Sequence, residues 1–417
     1  MVEVIKPQKR PQLSLFMKFA SYLFSFETFF VLFLLSGRFK SDPRLTQLPI
    51  DLTLLFWGLS IIAAFFLFIT GKVKIKGHAF VGTVLYFLFS TWISLTLIWA
   101  PPTAYAAGKV VRILTVVLWS YAGAALIVSN RPERVARFYY LLVLGAAWLA
   151  VESWVVYLSD GTPAPHLERV LGGNYLGIGR VIGLGLGILL AFLLTRRFKK
   201  IVKASLILLA LFFSLTLVIV GGRGPFLAAL LSGLVALFLS KRSLKFLPLL
   251  IVAIAISIPL ASKFVPLTTF YRLYVLIEEP GGGTSASGRL QRVENAMKQI
   301  AEAPIFGQGV GSFYYYYGDS ALARDYPHNI LLELSAEAGF VGVFLFVLLS
   351  SFTLWMIPWR GLTRSPPHLA ATLMLINTFL NAMVSGDISD NRFLFTVMGL
   401  IAGLSHMTTR SLEEENV

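Results

Sequence analysis

Apolar runs long enough to cross a bilayer recur along nearly the whole chain, and that pattern leaves few folds open. A membrane-spanning helix needs about 20 predominantly apolar residues. About twelve such runs can be read, at 15–35, 50–70, 79–99, 110–128, 138–158, 176–194, 201–220, 225–239, 246–260, 330–357, 369–385 and 393–407. Several fall short of the full length, so some spans are expected to be tilted or broken. Charged side chains make up only 14% of the 417 residues, against about 25% in soluble domains, which excludes a soluble enzyme. The expectation is an all-α polytopic transmembrane bundle of about twelve helices. The first run is not read as a cleavable signal, because it lacks a small-residue cleavage site and Glu27 interrupts it.

The formal charge of +15 would suit a nucleic-acid partner if its cations were clustered, but most lie in short loops between apolar runs. With the amino terminus inside, about 20 Lys and Arg fall on the inner side and about 7 on the outer, which orients the chain with both termini cytoplasmic. No nucleic-acid partner is expected. The absence of cysteine removes disulfides, thiolate nucleophiles and cysteine-based metal sites.

Three regions follow. Residues 1–260 carry nine spans, 261–329 form one large outer loop, and 330–417 carry three spans and an inner tail. A loop that long is usually functional or disordered. After Gly281, Gly282 and Gly283, Ser287 can cap an amphipathic helix over about 287–303, with Leu290, Val293, Met297 and Ile300 on one face. Pro304 ends it, followed by Gly307, Gly309, Gly311 and a tyrosine run at 314–317 that reads first as an interfacial aromatic belt. No tandem repeat or metal-binding His pair is visible, and the glutamates at 413–415 read as a solvated end.

This topology sorts the polar residues. His78, His368 and His406 fall on the inner side, whereas His166 and His328 lie outside. His328, in Tyr326-Pro327-His328-Asn329, opens the tenth span, where a positioned imidazole can act as a base near neutral pH; capping that helix is the plainer role. Arg112, Arg180, Arg223, Arg289 and Arg392 all fall at outer span ends or in outer loops. Guanidinium groups hold phosphate bidentately and stay charged. Each alone could snorkel or pair with Asp387, Asp390, Glu278 or Glu279, but five on the cation-poor side point to an anionic ligand. Glu27 and Glu152 lie within spans and are expected to neutralise such arginines. Glu333 and Glu337 follow His328 on one helix but point about 140° and 180° away from it.

The segment His328-Asn329, with Gly339 and Gly342 following, resembles the signature of the bacterial O-antigen ligase and polymerase superfamily. Gly222-Arg223-Gly224, Ser287-Gly288-Arg289 and Pro304-Ile305-Phe306-Gly307-Gln308-Gly309 resemble that family's segments in the same order, and the 386–392 segment is similar to polymerase-like members. The resemblance covers about 220–392 at the level of motifs. It implies the C-type glycosyltransferase architecture in a bacterial inner membrane, acting at the periplasmic face on polyprenyl-diphosphate-linked oligosaccharide. His328 would be the catalytic imidazole and Arg223 and Arg289 diphosphate ligands; Arg112, Arg180 and Arg392 join them as candidates, with Asn329, Glu337 and Asp387 in support.

On this reading an acceptor hydroxyl displaces polyprenyl diphosphate at the anomeric carbon with inversion, and arginines stabilise the departing charge. No acidic pair is spaced as a metal site, so neither metal nor cofactor is expected. The 386–392 segment favours a polymerase, whose acceptor is a second lipid-linked repeat unit and for which a chain-length regulator is a candidate partner. The alternative is a ligase, whose acceptor is lipid A–core. A lipid-linked-glycan flippase would also be basic and polytopic, but no repeated halves are visible and the polar candidates gather at one face instead of the midplane.

Overall fold

The computed structural model describes residues 22–45, 47–160, 170–239, 269, 273, 284–319 and 324–405. The run at 246–260, His166, His406, the loop glycines at 281–283, Glu278, Glu279 and the tail glutamates lie outside these residues. The described chain is all helical, without strands. In order it forms α1 (Phe26–Leu35), α2 (Leu52–Ile69), α3 (Gly77–Leu95), α4 (Ala104–Asn130), α5 (Pro132–Asp160), α6 (Tyr175–Thr195), α7 (Lys200–Ile219), α8 (Arg223–Leu239), α9 (Thr284–Glu302), α10 (Ser312–Tyr317), α11 (Ile330–Trp355), α12 (Pro366–Ala382) and α13 (Arg392–Leu404).

Seven of these, α2 to α7 and α11, are long and apolar enough to cross a membrane by length and composition. Helices α8, α12 and α13 coincide with expected spans but are shorter. Of these, α12 and α13 are almost wholly wrapped by other helices. By contrast α2 and α7 turn Leu54, Phe65, Leu208 and Leu215 outward, as lipid-facing helices do. Glycines let α6 lie deep in the bundle. A Cβ built on Gly183 would stand 2.8 Å from Asn377 of α12, and one on Gly185 2.7 Å from Ala146 of α5.

Consecutive connections alternate between the two ends of the bundle. At one end Asn130 bonds the carbonyl of Lys74 at 2.6 Å, and Tyr139 bonds that of Pro367 at 2.7 Å. At the other, Arg44 meets Glu152 at 3.1 Å and Tyr105 meets Asp387 at 3.1 Å. Every one of the sequence-derived candidates in the described residues sits towards this second end. The in-span acids divide: Glu152 pairs with Arg44 there, but Glu27 pairs with Arg137 at 2.9 Å, an arginine at the start of α5 near the first end. Glu27 therefore does not neutralise the candidate arginines.

Helix α11 is broken where it matters. Gly339 has φ +65°, a left-handed conformation that only glycine adopts without strain, and the helical ladder parts around it. The 304–309 segment fills the gap. Amides of Gln308 and Gly309 donate to the carbonyls of Ala336 and Glu337, each at 3.0 Å. Amides of Phe340 and Val341 donate to those of Pro304 and Ile305 at 2.8 and 3.3 Å. Trp92 and Trp99 add indole bonds to the carbonyls of Ala338 and Gly307. Backbone groups freed by the kink are thus satisfied inside the protein, the condition for non-helical chain at membrane depth. Contact is so close that a Cβ on Gly307 would lie 2.4 Å from the Glu337 carbonyl carbon. The kink locks α9 and its loop against the helix that carries His328.

Candidate functional site

His328 occupies the last non-helical position but one before α11, and its backbone is left-handed, with φ +60°. A non-glycine residue held there costs about 1–3 kcal/mol and persists only where its surroundings impose it. The next residue explains the imposition. Asn329 caps α11 by accepting from the amides of Leu331 and Leu332 at 2.9 and 3.1 Å, and its own amide donates to the Met383 carbonyl at 3.2 Å. On the other side, Pro327 is buried and the Tyr326 ring lies 4.5 Å from the imidazole. His328 Nδ1 is buried and has no hydrogen-bond partner among the described residues. Burial, then the charges of Arg292 and Arg289, outweigh Asp325 and lower the His328 pKa to about 4. The imidazole is therefore neutral at pH 7 and can accept a proton.

The segment leading into His328 is clamped to α9. Arg292 reaches both carboxylate oxygens of Asp325, at 2.8 and 3.1 Å, and Asp325 also accepts from the Tyr326 amide at 2.9 Å. Helix α9 begins at Thr284, three residues before the expected cap. Ser287 is therefore interior and Arg289 sits beyond the first turn, so the free amides of the helix start do not add to its charge. Of the residues read as one apolar face, Leu290 and Met297 are exposed, while Ala296 and Gln299 beside them are buried.

Arg180 and Arg392 converge on a third guanidinium. Arg38, just past α1, feels the charges of both and of Arg324. Burial, then Arg392 and Arg180, pull its pKa down to about 9, so it remains charged at pH 7. Asp390 is the acid in range of all four arginines, but its hydrogen bond goes to Arg324, at 2.9 Å. Arg38 and Arg180 each bury an Nε without a hydrogen-bond partner, and Arg392 spends one Nη1 on the Phe33 carbonyl at 3.2 Å. Among the described residues Arg38, Arg112, Arg180, Arg289 and Arg392 form no ion pair. Arg392 is buried and the other four half-buried, and cations so held without paired acids call for an anion from elsewhere.

The other candidates fall around this core. Arg223 opens α8, and the following Gly224 would set a Cβ 2.9 Å from Val384, beside the 386–392 segment. Gly386 in that segment approaches Arg180, its would-be Cβ 3.0 Å from Nη1. Arg112 stands apart, with Nε and one Nη buried and unpartnered and its charge directed at Asp387. Asp387 caps the turn that bears Asp390, accepting from the Asp390 amide at 2.7 Å and the Tyr105 hydroxyl at 3.1 Å. Burial opposes its charge, but Lys109 and Arg324 outweigh that and hold its carboxyl below the usual range. Glu337 faces away from the imidazole as its helical angle requires: it pairs with Lys109 at 2.6 Å, and Glu333 takes the same ammonium at 2.5 Å. Glu333 also accepts from the Ile388 amide at 3.1 Å, so this fully buried cluster fixes the 386–392 segment to α11. Glu337 supports the scaffold and does not orient His328.

Arg38, Lys109, Arg292, Arg324 and Asp325 carry no signal in the sequence that separates them from ordinary loop or interfacial charges. Their role appears only when distant segments meet. Among the described residues no group of three or more His, Asp and Glu is placed to hold a metal ion.

A family model described as O-antigen ligase matches residues 207–347, a stretch that holds Arg223, Arg289, the 304–309 insert, His328 and the Gly339 kink. The chain is also 26% identical to a protein named O-antigen ligase from Pseudomonas aeruginosa, over 304 residues that cover 73% of this chain and 71% of the relative. With a polytopic helical bundle and these residues gathered at one end, the chain is similar to O-antigen ligases both in the segment the family model matches and over most of its length.

Proposed function

We propose that the chain transfers a glycan from polyprenyl diphosphate to a hydroxyl of a second glycoconjugate, with His328 as the proton acceptor. The observation that carries this is the neutral imidazole of His328, its Nδ1 without a partner among the described residues, standing in the field of Arg292, Arg289 and Arg180, of which the last two form no ion pair there. The acceptor oxygen forms a bond to the anomeric carbon as the bond from that carbon to the phosphate oxygen breaks. Polyprenyl diphosphate leaves with the electron pair, and the acceptor proton passes to the imidazole. Negative charge grows on the bridging oxygen, where guanidiniums stabilise the transition state more than the ground state. Attack opposite the leaving group inverts the anomeric centre. The site faces the periplasm, and both termini are cytoplasmic, by the loop charge asymmetry.

For the acceptor, the ligase reading has the stronger support. The names of the matching family and relative favour it. The 386–392 segment, which alone inclined the sequence towards a polymerase, is held by Glu333 and Asp387 as framework. Purified protein given lipid-linked repeat unit with and without lipid A–core separates the two. Product only when lipid A–core is present supports the ligase; a ladder from the donor alone makes the protein a polymerase.

A further inference from the structure

Asp325 lies just before the His328 turn and is buried, and its carboxylate gathers donors from three stretches of chain. One oxygen accepts from Nε of Arg292 at 2.8 Å and from the Tyr326 amide at 2.9 Å. The other accepts from Nη2 of Arg292 at 3.1 Å and from the Asp319 amide at 3.4 Å. Helix α9, the exit of α10 and the turn that presents the imidazole are thus tied at one side chain. Arg292 is as fully spent. Its Nη1 donates to the carbonyl of Gly288, one turn back on α9, at 3.1 Å. A Cβ on Gly288 would stand 3.3 Å from that nitrogen, so the glycine of the Ser287-Gly288-Arg289 segment makes room for the guanidinium to lie along the helix. Arg289 shares that helix face, one turn before Arg292, but makes no ion pair among the described residues. Two neighbouring arginines therefore have different tasks, one committed to Asp325 and one left for a ligand.

The charges around His328 follow the same division. After burial, Arg292 and Arg289 of α9 and Arg180 of α6 keep the imidazole neutral against Asp325, and the Tyr326 ring is the other titratable group beside it. A buried carboxylate this near would by itself draw a proton onto the imidazole; the bidentate pair with Arg292 cancels it. We propose that Arg292 and Asp325 are a positioning couple for the reaction, which holds the left-handed His328 turn against α9 and so fixes the base relative to Arg289. Both act through His328, without touching substrate. Their contribution belongs to turnover instead of donor affinity, and Arg292 is part of the frame, not another phosphate-binding arginine. The inference rests on the reading of His328 as proton acceptor.

The test compares wild type, Arg292→Gln, Arg292→Lys and Asp325→Asn, each full-length in nanodiscs. Three quantities are read: glycan transfer, binding of polyprenyl diphosphate, and the titration of the imidazole proton resonance that His328→Ala removes. The titration needs no turnover. Arg292→Gln and Asp325→Asn are each expected to lower kcat about 10²-fold, the effect that a misplacement of about 1 Å can have, with affinity for polyprenyl diphosphate unchanged. Arg292→Lys keeps the charge but loses the fork, and should recover part of the rate. The His328 titration should move up in Arg292→Gln and down in Asp325→Asn. Unfolding cannot mimic this, because it would carry both variants up towards about 6.5. Donor affinity that falls with the rate in Arg292→Gln would make Arg292 a phosphate ligand and overturn the couple. So would a His328 titration that neither variant moves, or a rate unchanged in Asp325→Asn. The transfer reading fails separately. A wild type that never transfers glycan, with both titrations displaced as stated, keeps the couple and sinks the reaction; transfer that needs His328 but is indifferent to both variants does the reverse.

Discussion

His328 is kept neutral by burial and by the arginines around it, and the pH dependence of the reaction should show both. Its pKa of about 4 in the free protein means the base is unprotonated across the neutral range. Protonation removes the acceptor, so kcat/KM, which reports the free enzyme, should be flat near pH 7 and fall only as pH drops through about 4. Bound diphosphate cancels the arginine field, so the acid limb of kcat should lie higher, towards the ordinary histidine value of about 6.5. Arg289→Gln removes one of the charges that lower the pKa; it should move the kcat/KM limb upward and weaken donor binding about tenfold or more. Limbs that coincide in wild type and Arg289→Gln would detach the imidazole from this field. His328 itself was visible in the sequence, through its place at a span start and the motif it resembles. Arg38 was not, because one arginine after an apolar run looks like any interfacial cation until α6 and α13 bring theirs beside it.

At the scale of elements, the kinked α11 and the 304–309 insert act as one part. Gly339→Ala would place a Cβ 2.3 Å from the Ile305 carbonyl oxygen at a φ of +65°, and should destabilise the protein by about 1–3 kcal/mol or more, read as a lowered melting temperature. An unchanged melting temperature would mean the insert is not docked as described. Lys109→Met leaves Glu333 and Glu337 buried without their cation, a loss of about 3–5 kcal/mol. Because Glu333 holds the 386–392 segment, transfer should fall even in protein that still folds. Hydropathy located the spans, since each need only be apolar for its length, and Pro304 marked the end of α9. The start of α9 was misplaced because Thr284, Ser285 and Ser287 are all competent caps. The break in α11 was hidden because Gly339 sits within an unbroken apolar run and its cause lies thirty-odd residues upstream.

Over the whole molecule, candidate residues from six parts of the chain meet at one end of a helical bundle while its flanks face lipid. Reporter fusions at either terminus should be active only in the cytoplasm, and a reporter near residue 284 only outside; the opposite pattern would place the site on the wrong side for the proposed donor. The bundle could be read from apolar runs and the likeness to O-antigen ligases from motif order, whereas the acceptor could not, because nothing near His328 encodes it. The central claim is inverting transfer from polyprenyl diphosphate that depends on His328. It is tested most directly by incubating purified protein with lipid-linked glycan and lipid A–core and following polyprenyl diphosphate release and the anomeric configuration of the product. The account predicts a product of inverted configuration, formed about 10²–10⁴ times more slowly by His328→Ala at unchanged diphosphate affinity. Retained configuration, equal rates in the variant, or donor that crosses the membrane with its glycan bond intact would contradict it.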